Sequence, residues 1–172
     1  NIANTILQFP LIGLWALLVT KVIPGEDVTI EYKPKHLDRH FIEQSPSVAI
    51  GQAKEEIIRM GAFSIQGMNE SYEYLKTGNK KHAETGYQIE DAINNLDRKI
   101  TDYLIEISSV SISPLESERH VMLMETVRDI ERIGDHFENI IELIDYRDVN
   151  KVKLTEDAME DLAEMFTLTI ET

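Results

Sequence analysis

One stretch of the sequence repeats apolar residues with the period of an α-helix. Between residues 81 and 108 these residues recur at alternating steps of four and three, namely at Ile89, Ile93, Leu96, Ile100, Tyr103 and Ile107. Such steps place the side chains in one stripe along a helix, and the stripe is buried when the helix packs against others. The stretch therefore predicts a long helix within an all-α bundle.

Two further stretches share this period and begin with a helix-start signal. Ser45-Pro46 and Ser113-Pro114 each place a capping serine before a proline, which suits the first turn of a helix. We expect helices over about residues 46–76, 81–108 and 114–147. Because the turns between them are short, neighbouring helices should be antiparallel. The sequence thus predicts a three-helix antiparallel bundle over residues 46–148.

The segments on either side of this bundle differ in character. Residues 6–23 read ILQFPLIGLWALLVTKVI, close to the roughly 20 apolar residues that span a bilayer. We expect residues 1–23 to be an apolar helix at the end of a membrane domain, with a buried helix of a soluble protein as the alternative. The polar residues 24–45 are expected to form a connector. Residues 154–172 form a fourth helical pattern, which either completes the bundle or begins a second repeat.

The charge balance narrows the possible functions. The formal net charge is -14, with 31 acidic and 17 basic residues, which disfavours nucleic acid and favours a cation or a basic partner. There is no cysteine, so disulfides, thiolate metal sites and thiol nucleophiles are excluded. Phosphate loops, dinucleotide turns and nucleophile elbows are also missing from the sequence. We therefore expect the chain not to be an enzyme.

Polar side chains follow the predicted core positions by one residue on two of the helices. They are Glu131, Asp135, Glu138, Glu142 and Asp145 on one helix, and Glu90, Asn94 and Asp97 on the other. Each therefore lies about 100° around its helix from the core stripe. If the two stripes converge, they form an oxygen-rich site for Mg, Ca, Mn or Fe. If they diverge, they are ordinary solvated faces.

Two residues within the second stripe have their own alternatives. Gly134 lies inside a predicted helix, where glycine costs about 1 kcal/mol relative to alanine, and it is expected where two helices approach closely or where a bulky site requires the side chain to be absent. Arg132 is predicted either to hold a carboxylate of the candidate site or to pair with Asp129 or Asp135 along its own helix.

Three segments resemble one known family. "AKEEIIRMG", "DAINNLDRKI" and above all "DIERIGDHFENI" are similar to the PhoU family, whose repeats are three-helix bundles with a Glu-x-x-x-Asp metal motif. This resemblance places the metal motif on Glu131 and Asp135. Further candidate ligands are Asn94, Asp97, Glu138 and Asn139. The cofactor implied is a divalent or iron-type metal cation.

The opening of the sequence extends the resemblance. "NIANTILQFPLIGLWALLVTKVIPGE" is similar to the last membrane segment of bacterial sodium/phosphate cotransporters, which carry a PhoU-like domain as a C-terminal cytosolic tail. The resemblance implies a regulatory domain on the cytoplasmic side of the cell membrane, coupling phosphate status to uptake. Its expected partner is the transporter domain of the same longer chain. A PhoU protein has two repeats, and this chain has one with the start of another, so self-association is also expected.

Two other interpretations remain open at this point. In the first, the chain is a metal-free helical interaction or oligomerisation module whose acidic face docks a basic partner. In the second, it is a free-standing soluble regulator of the PhoU type, in which residues 6–23 form a buried helix.

Overall fold

The computed structural model of this chain describes residue 30 and residues 33–171. This part contains five α-helices and no strand: α1 His40–Gln44, α2 Pro46–Thr77, α3 Lys80–Ser108, α4 Pro114–Val149 and α5 Glu156–Glu171. The predicted all-α class is therefore confirmed. The expected apolar helix over residues 6–23 lies outside the described residues. Among the helices that are described, none is long and apolar enough to cross a membrane.

The helices α2, α3 and α4 pack against one another in all three pairs and form an antiparallel bundle. All six apolar positions that define the stripe of α3 are buried. They face buried residues of α2 and α4, of which Tyr74 and Phe137 are among the largest. The core thus lies along the shared axis of the bundle, as the periodicity predicts.

The two predicted serine caps differ in the structure. At α4, Ser113 and Glu116 form a reciprocal capping box: the Ser113 hydroxyl accepts from the Glu116 amide at 3.3 Å, and the Glu116 carboxylate accepts from the Ser113 amide at 2.7 Å. At α2, Ser45 occupies the cap position without a side-chain bond to the helix. The predicted cap bond of Ser45 is therefore wrong. The short helix α1 ends directly before Ser45, and the Ser45 main-chain amide donates to the Phe41 carbonyl at 2.9 Å.

Two glycines allow helices to approach closely. A side chain at Gly134 of α4 would lie 3.3 Å from Ile93 of α3, so this glycine lets α4 approach α3, which is the first of the two explanations given for its mid-helix position. At Gly67 of α2 a side chain would overlap the ring of Phe137. These contacts set how α4 is rotated against its two neighbours.

The terminal helix α5 packs mainly against α2, outside the three-helix bundle. Phe166 of α5 is buried and stacks on Tyr72 of α2 with 4.8 Å between the ring centroids. Between α4 and α5 lies an open apolar groove of about 590 Å³, lined by residues that include Leu143 and Met165.

Candidate metal centre

Three carboxylates from two helices meet in the groove between α3 and α4. Glu90 of α3 and Asp135 and Glu138 of α4 each place one oxygen within 4.8 Å of the other two. Glu90 is 7% exposed, Glu138 is half-buried and Asp135 is exposed. The cluster therefore has a buried floor and a side open to solvent.

The packing of the bundle explains why these carboxylates meet. Each acid follows a buried position by one residue: Glu90 follows Ile89, and Asp135 follows Gly134. Glu138 has the same relation to its buried neighbour Phe137. Because α3 and α4 are in close contact at Gly134, the stripes that border the core on each helix converge on a common groove. The two acidic stripes could have converged or diverged, and at these three acids they converge.

The negative charges in this groove are crowded. Burial raises the pKa of Glu90 to about 7, with the carboxylates of Glu138, Asp91 and Asp135 acting in the same direction. A hydrogen bond from the side-chain amide of Asn94 opposes the rise. Burial also raises the pKa of Glu138, and nearby acids add to that shift. The folded protein thus holds several carboxylates where ionising them is unfavourable without a counter-charge.

Glu131 lies one helical turn before Asp135, outside the cluster of three. Burial raises its pKa, and the carboxylates of Asp135 and Asp97 add to the effect, while Arg132 and Arg128 lower it. Burial likewise raises the pKa of Asp97, against the attraction of Arg128. These two predicted ligands therefore extend the acidic groove along the helices beyond the three clustered carboxylates.

The two predicted amide ligands occupy different positions. Asn94 donates a hydrogen bond to the Glu90 carboxylate, so it borders the cluster and positions one of its acids. Asn139 is exposed, and its side-chain amide donates to the main-chain oxygen of Asp135 at 2.8 Å. As it stands, that side chain is bonded along its own helix.

One cluster member was not among the predicted ligands. Glu90 belongs to the acidic stripe of its helix, but its burial depends on the packing of α3 against α4, which the sequence pattern does not specify.

Arg132 lies 3.9 Å from Asp129, and both side chains are largely exposed. The arrangement found for Arg132 is therefore the pair along its own helix.

The three carboxylates fit a hard cation. Protein oxygens bind Mg or Ca at about 2.0–2.6 Å, so oxygens around one ion lie at most about 5 Å apart. The separation of 4.8 Å or less in this cluster meets that limit. Glu90, Asp135 and Glu138 would hold the ion, and water would complete its coordination. Oxygen ligands without sulfur or imidazole suit Mg, Ca, Mn or Fe.

Together, the fold and this groove define an antiparallel helical-bundle domain with an acidic site suited to a hard cation. Residues 57–144, just over half of the chain, match the family model of the PhoU domain. The chain belongs to the PhoU domain family. This family consists of regulatory rather than enzymatic domains.

Curated relatives match nearly the whole chain. The protein of Salmonella typhimurium named "Putative inorganic phosphate export protein YjbB" is 23% identical over 168 residues, which cover 96% of this chain and 31% of the relative. Its namesake in Escherichia coli is 23% identical over 141 residues, covering 81% of this chain and 26% of the relative. The chain thus spans about a third of the length of these relatives or less. No solved structure matches it. The family and these relatives together support a regulatory role connected with phosphate.

Proposed function

We propose that this chain is the regulatory domain of a membrane phosphate transporter, and that its acidic groove is the sensing site. The observation that carries this proposal is that a PhoU domain lies within a segment similar, over 96% of this chain, to part of a protein named for phosphate export. The transporter domain of the same longer protein is its partner, and the bundle lies on the cytoplasmic side of the cell membrane.

The sensing step is the binding of a divalent or iron cation in the groove. The pKa of Glu90 is raised by burial and, in addition, by repulsion from nearby carboxylates, and an ion held by Glu90, Asp135 and Glu138 neutralises that repulsion. It thereby draws α3 and α4 together. A ligand shifts a domain between two packings only by the difference in its affinity for them. The cation is effective here because its ligands come from two helices, so separation of the helices dismantles the site.

Metal analysis and calorimetry test the site directly. The full chain, prepared without added metal, is titrated with Mg, Ca, Mn and Fe(II) beside the double variant Glu90→Gln/Asp135→Asn. A matched control, Glu84→Gln/Glu125→Gln, changes exposed acids on the same two helices outside the cluster. We expect saturable binding in the parent and control and at least a tenfold weaker affinity in the cluster variant. Equal binding in all three proteins, or none in the parent, would reject the site.

The transport coupling needs a separate test. We propose that the transporter is sodium-dependent and that the domain adjusts phosphate flux, whether uptake or the export named in the relatives. Phosphate flux in vesicles containing the longer protein should depend on the sodium gradient and should lose its response to the cation in the cluster variant. Phosphate flux that responds neither to the sodium gradient nor to the cation would favour the alternative of a free-standing soluble regulator. In that case the full chain should stay soluble without detergent.

A second candidate function is a metal-free module that docks a basic partner or another copy of itself. It is favoured by the length of the acidic stripe, which runs along α4 through Glu131, Asp135, Glu138, Glu142 and Asp145. Docking of this kind should weaken steeply with salt. Neutralising a single acid, as in Glu131→Gln, should change the docking affinity little. Neutralising a single carboxylate that binds a cation should, in contrast, strongly weaken cation binding. Sedimentation at low and high salt would detect self-association.

A further inference from the structure

The segment that leads into the bundle is attached in an unusual way. Residues 33–39, called the strap below, precede α1 and contain no helix. Five of their seven side chains are exposed, and only Pro34 and Leu37 are half-buried. Leu37 packs against the core, and Ile30, a few residues before the strap, is itself part of the core. The other contacts that attach residues 33–39 to the bundle are polar, and most of them are made to the main chain of the strap.

The first anchor is a fully buried glutamate of α2. Glu56 is 0% exposed, and one of its oxygens accepts from the main-chain amides of Lys35 at 2.8 Å and His36 at 3.0 Å. Its other oxygen pairs with Arg59 at 2.5 Å. The same guanidinium donates to the main-chain oxygen of Lys33 at 3.0 Å. One ion pair thus binds the first part of the strap at three main-chain atoms.

The second anchor involves both α2 and α3. The side-chain oxygen of Gln52 accepts from the Asp38 amide at 3.3 Å. The Tyr103 hydroxyl lies 2.9 Å from the Asp38 main-chain oxygen and 2.8 Å from the Gln52 oxygen. At the end of the strap, Arg39 pairs with Glu106 of α3 at 2.8 Å. The strap therefore bridges two bundle helices.

Between these anchors, the strap is not sealed against the bundle. An open cavity of about 640 Å³ lies between residues 35–38 and the first part of α2, where Val48, Gly51 and Glu55 form its wall. This space gives water access to the strap on the side of Gln52. Detachment of residues 33–39 would hydrate the polar anchors and remove the core contact of Leu37, while the apolar contacts among α2, α3 and α4 would remain.

We propose that residues 33–39 are a releasable strap whose docked state is set by the buried Glu56 with its partner Arg59. Release separates residues 33–39 from α2 and α3 while the three-helix bundle stays folded. This proposal stands independently of cation binding, because none of its anchoring residues belongs to the acidic cluster.

Amide hydrogen exchange of the full 172-residue chain tests the proposal. In the parent, the Lys35 and His36 amides should exchange faster than buried bundle amides such as that of Ile93, yet more slowly than free amides. In Glu56→Gln a neutral acceptor replaces a charged one, which weakens these bonds. Exchange at Lys35 and His36 should then rise about tenfold, while bundle amides change less than twofold. The control Glu55→Gln, at an exposed neighbouring position, should match the parent.

Three results would overturn the proposal. Strap amides that exchange as slowly as the bundle in the parent would mean that the strap does not open separately. Unchanged strap exchange in Glu56→Gln would remove Glu56 as the anchor. An equal rise in strap and bundle would make Glu56 part of the global fold. If Glu56→Gln does not fold, Tyr103→Phe serves as the second variant, because it removes one hydroxyl at the other anchor. Exchange of the Asp38 amide should then become severalfold faster. Unchanged exchange at Asp38 would also overturn the proposal.

Discussion

Replacing Glu90 by glutamine should stabilise the metal-free protein. Glu90 is 7% exposed and faces the carboxylates of Glu138, Asp91 and Asp135. Glutamine has nearly the same shape, and its side-chain oxygen can still accept from the Asn94 amide. The substitution therefore removes a crowded buried charge and keeps the packing.

The magnitude follows from the pKa of Glu90. A rise from 4.5 to about 7 in the folded state corresponds to about 3 kcal/mol at pH 8, at roughly 1.4 kcal/mol per unit. Because the cluster is open to solvent on the side of Asp135, screening reduces this cost, and we expect a gain of about 1–3 kcal/mol for Glu90→Gln. For a chain of this size, the midpoint of thermal unfolding should then rise by roughly 3–10 °C.

The dependence on pH has a definite sign. The pKa of Glu90 is raised on folding, so its contribution to stability is fully present below about pH 4.5 and is lost as the pH rises through about 7. Parent and Glu90→Gln should therefore have similar stabilities at pH 4.5. They should diverge as the pH rises to 8.

Urea unfolding in the presence of a chelator measures this difference, with Glu84→Gln as the control at an exposed position of the same helix. The control should change the free energy of unfolding by less than about 0.5 kcal/mol. Adding the cation at 100 times its dissociation constant should stabilise the parent by about 2.7 kcal/mol and the weaker-binding variant by less, so it should reduce the advantage of Glu90→Gln or reverse it. A Glu90→Gln protein no more stable than the parent at pH 8 would refute the reasoning.

Four other substitutions have expected outcomes. Gly67→Ala forces a methyl group against the ring of Phe137 and should lower the free energy of unfolding by about 1–3 kcal/mol. Gly51→Ala adds a methyl group with no atom near it and should raise the free energy of unfolding by about 0.5–1 kcal/mol. Urea unfolding measures both changes. Burial raises the pKa of Tyr103 to about 12, so the stability it contributes is present below pH 10 and lost as the pH rises toward 12. Urea unfolding between pH 9 and 11.5 should show a smaller loss in Tyr103→Phe than in the parent, and equal losses would contradict this. Phe166→Ala should free α5 from the bundle, seen as faster amide exchange in α5 alone, and unchanged exchange there would mean that other contacts hold it.

Sequence periodicity was sufficient for the bundle because it records a burial pattern that each helix must satisfy by itself. The predicted helix ends agree with the observed ones to within about two residues, and the capping box at Ser113 has a local sequence signal. The strap could not be predicted in this way. Its anchors are long-range contacts to main-chain atoms, and these leave no period in the sequence.

The candidate site was predictable in part, for a related reason. The acidic stripe of α4 placed Asp135 and Glu138 on one side of the helix, which follows from the helical period alone. Which residues of α3 they meet depends on how the two helices are shifted and rotated against each other. Contacts such as that of Gly134 with Ile93 set this relation. The sequence pattern therefore indicated the stripe that contains Glu90 without indicating that Glu90 completes the cluster.

The two buried glutamates of this protein show why the groove is interpreted as a binding site. Glu56 is fully buried, but Arg59 and two main-chain amides satisfy its oxygens, as expected for a structural charge. Glu90 is almost as buried, yet its partner among the described side chains is the neutral amide of Asn94, and carboxylates face it from α4. Above its raised pKa, a buried carboxylate surrounded by like charge destabilises the fold unless a cation joins it. The same chain thus supplies a full set of partners for one buried glutamate and leaves the other with a place that a cation would fill.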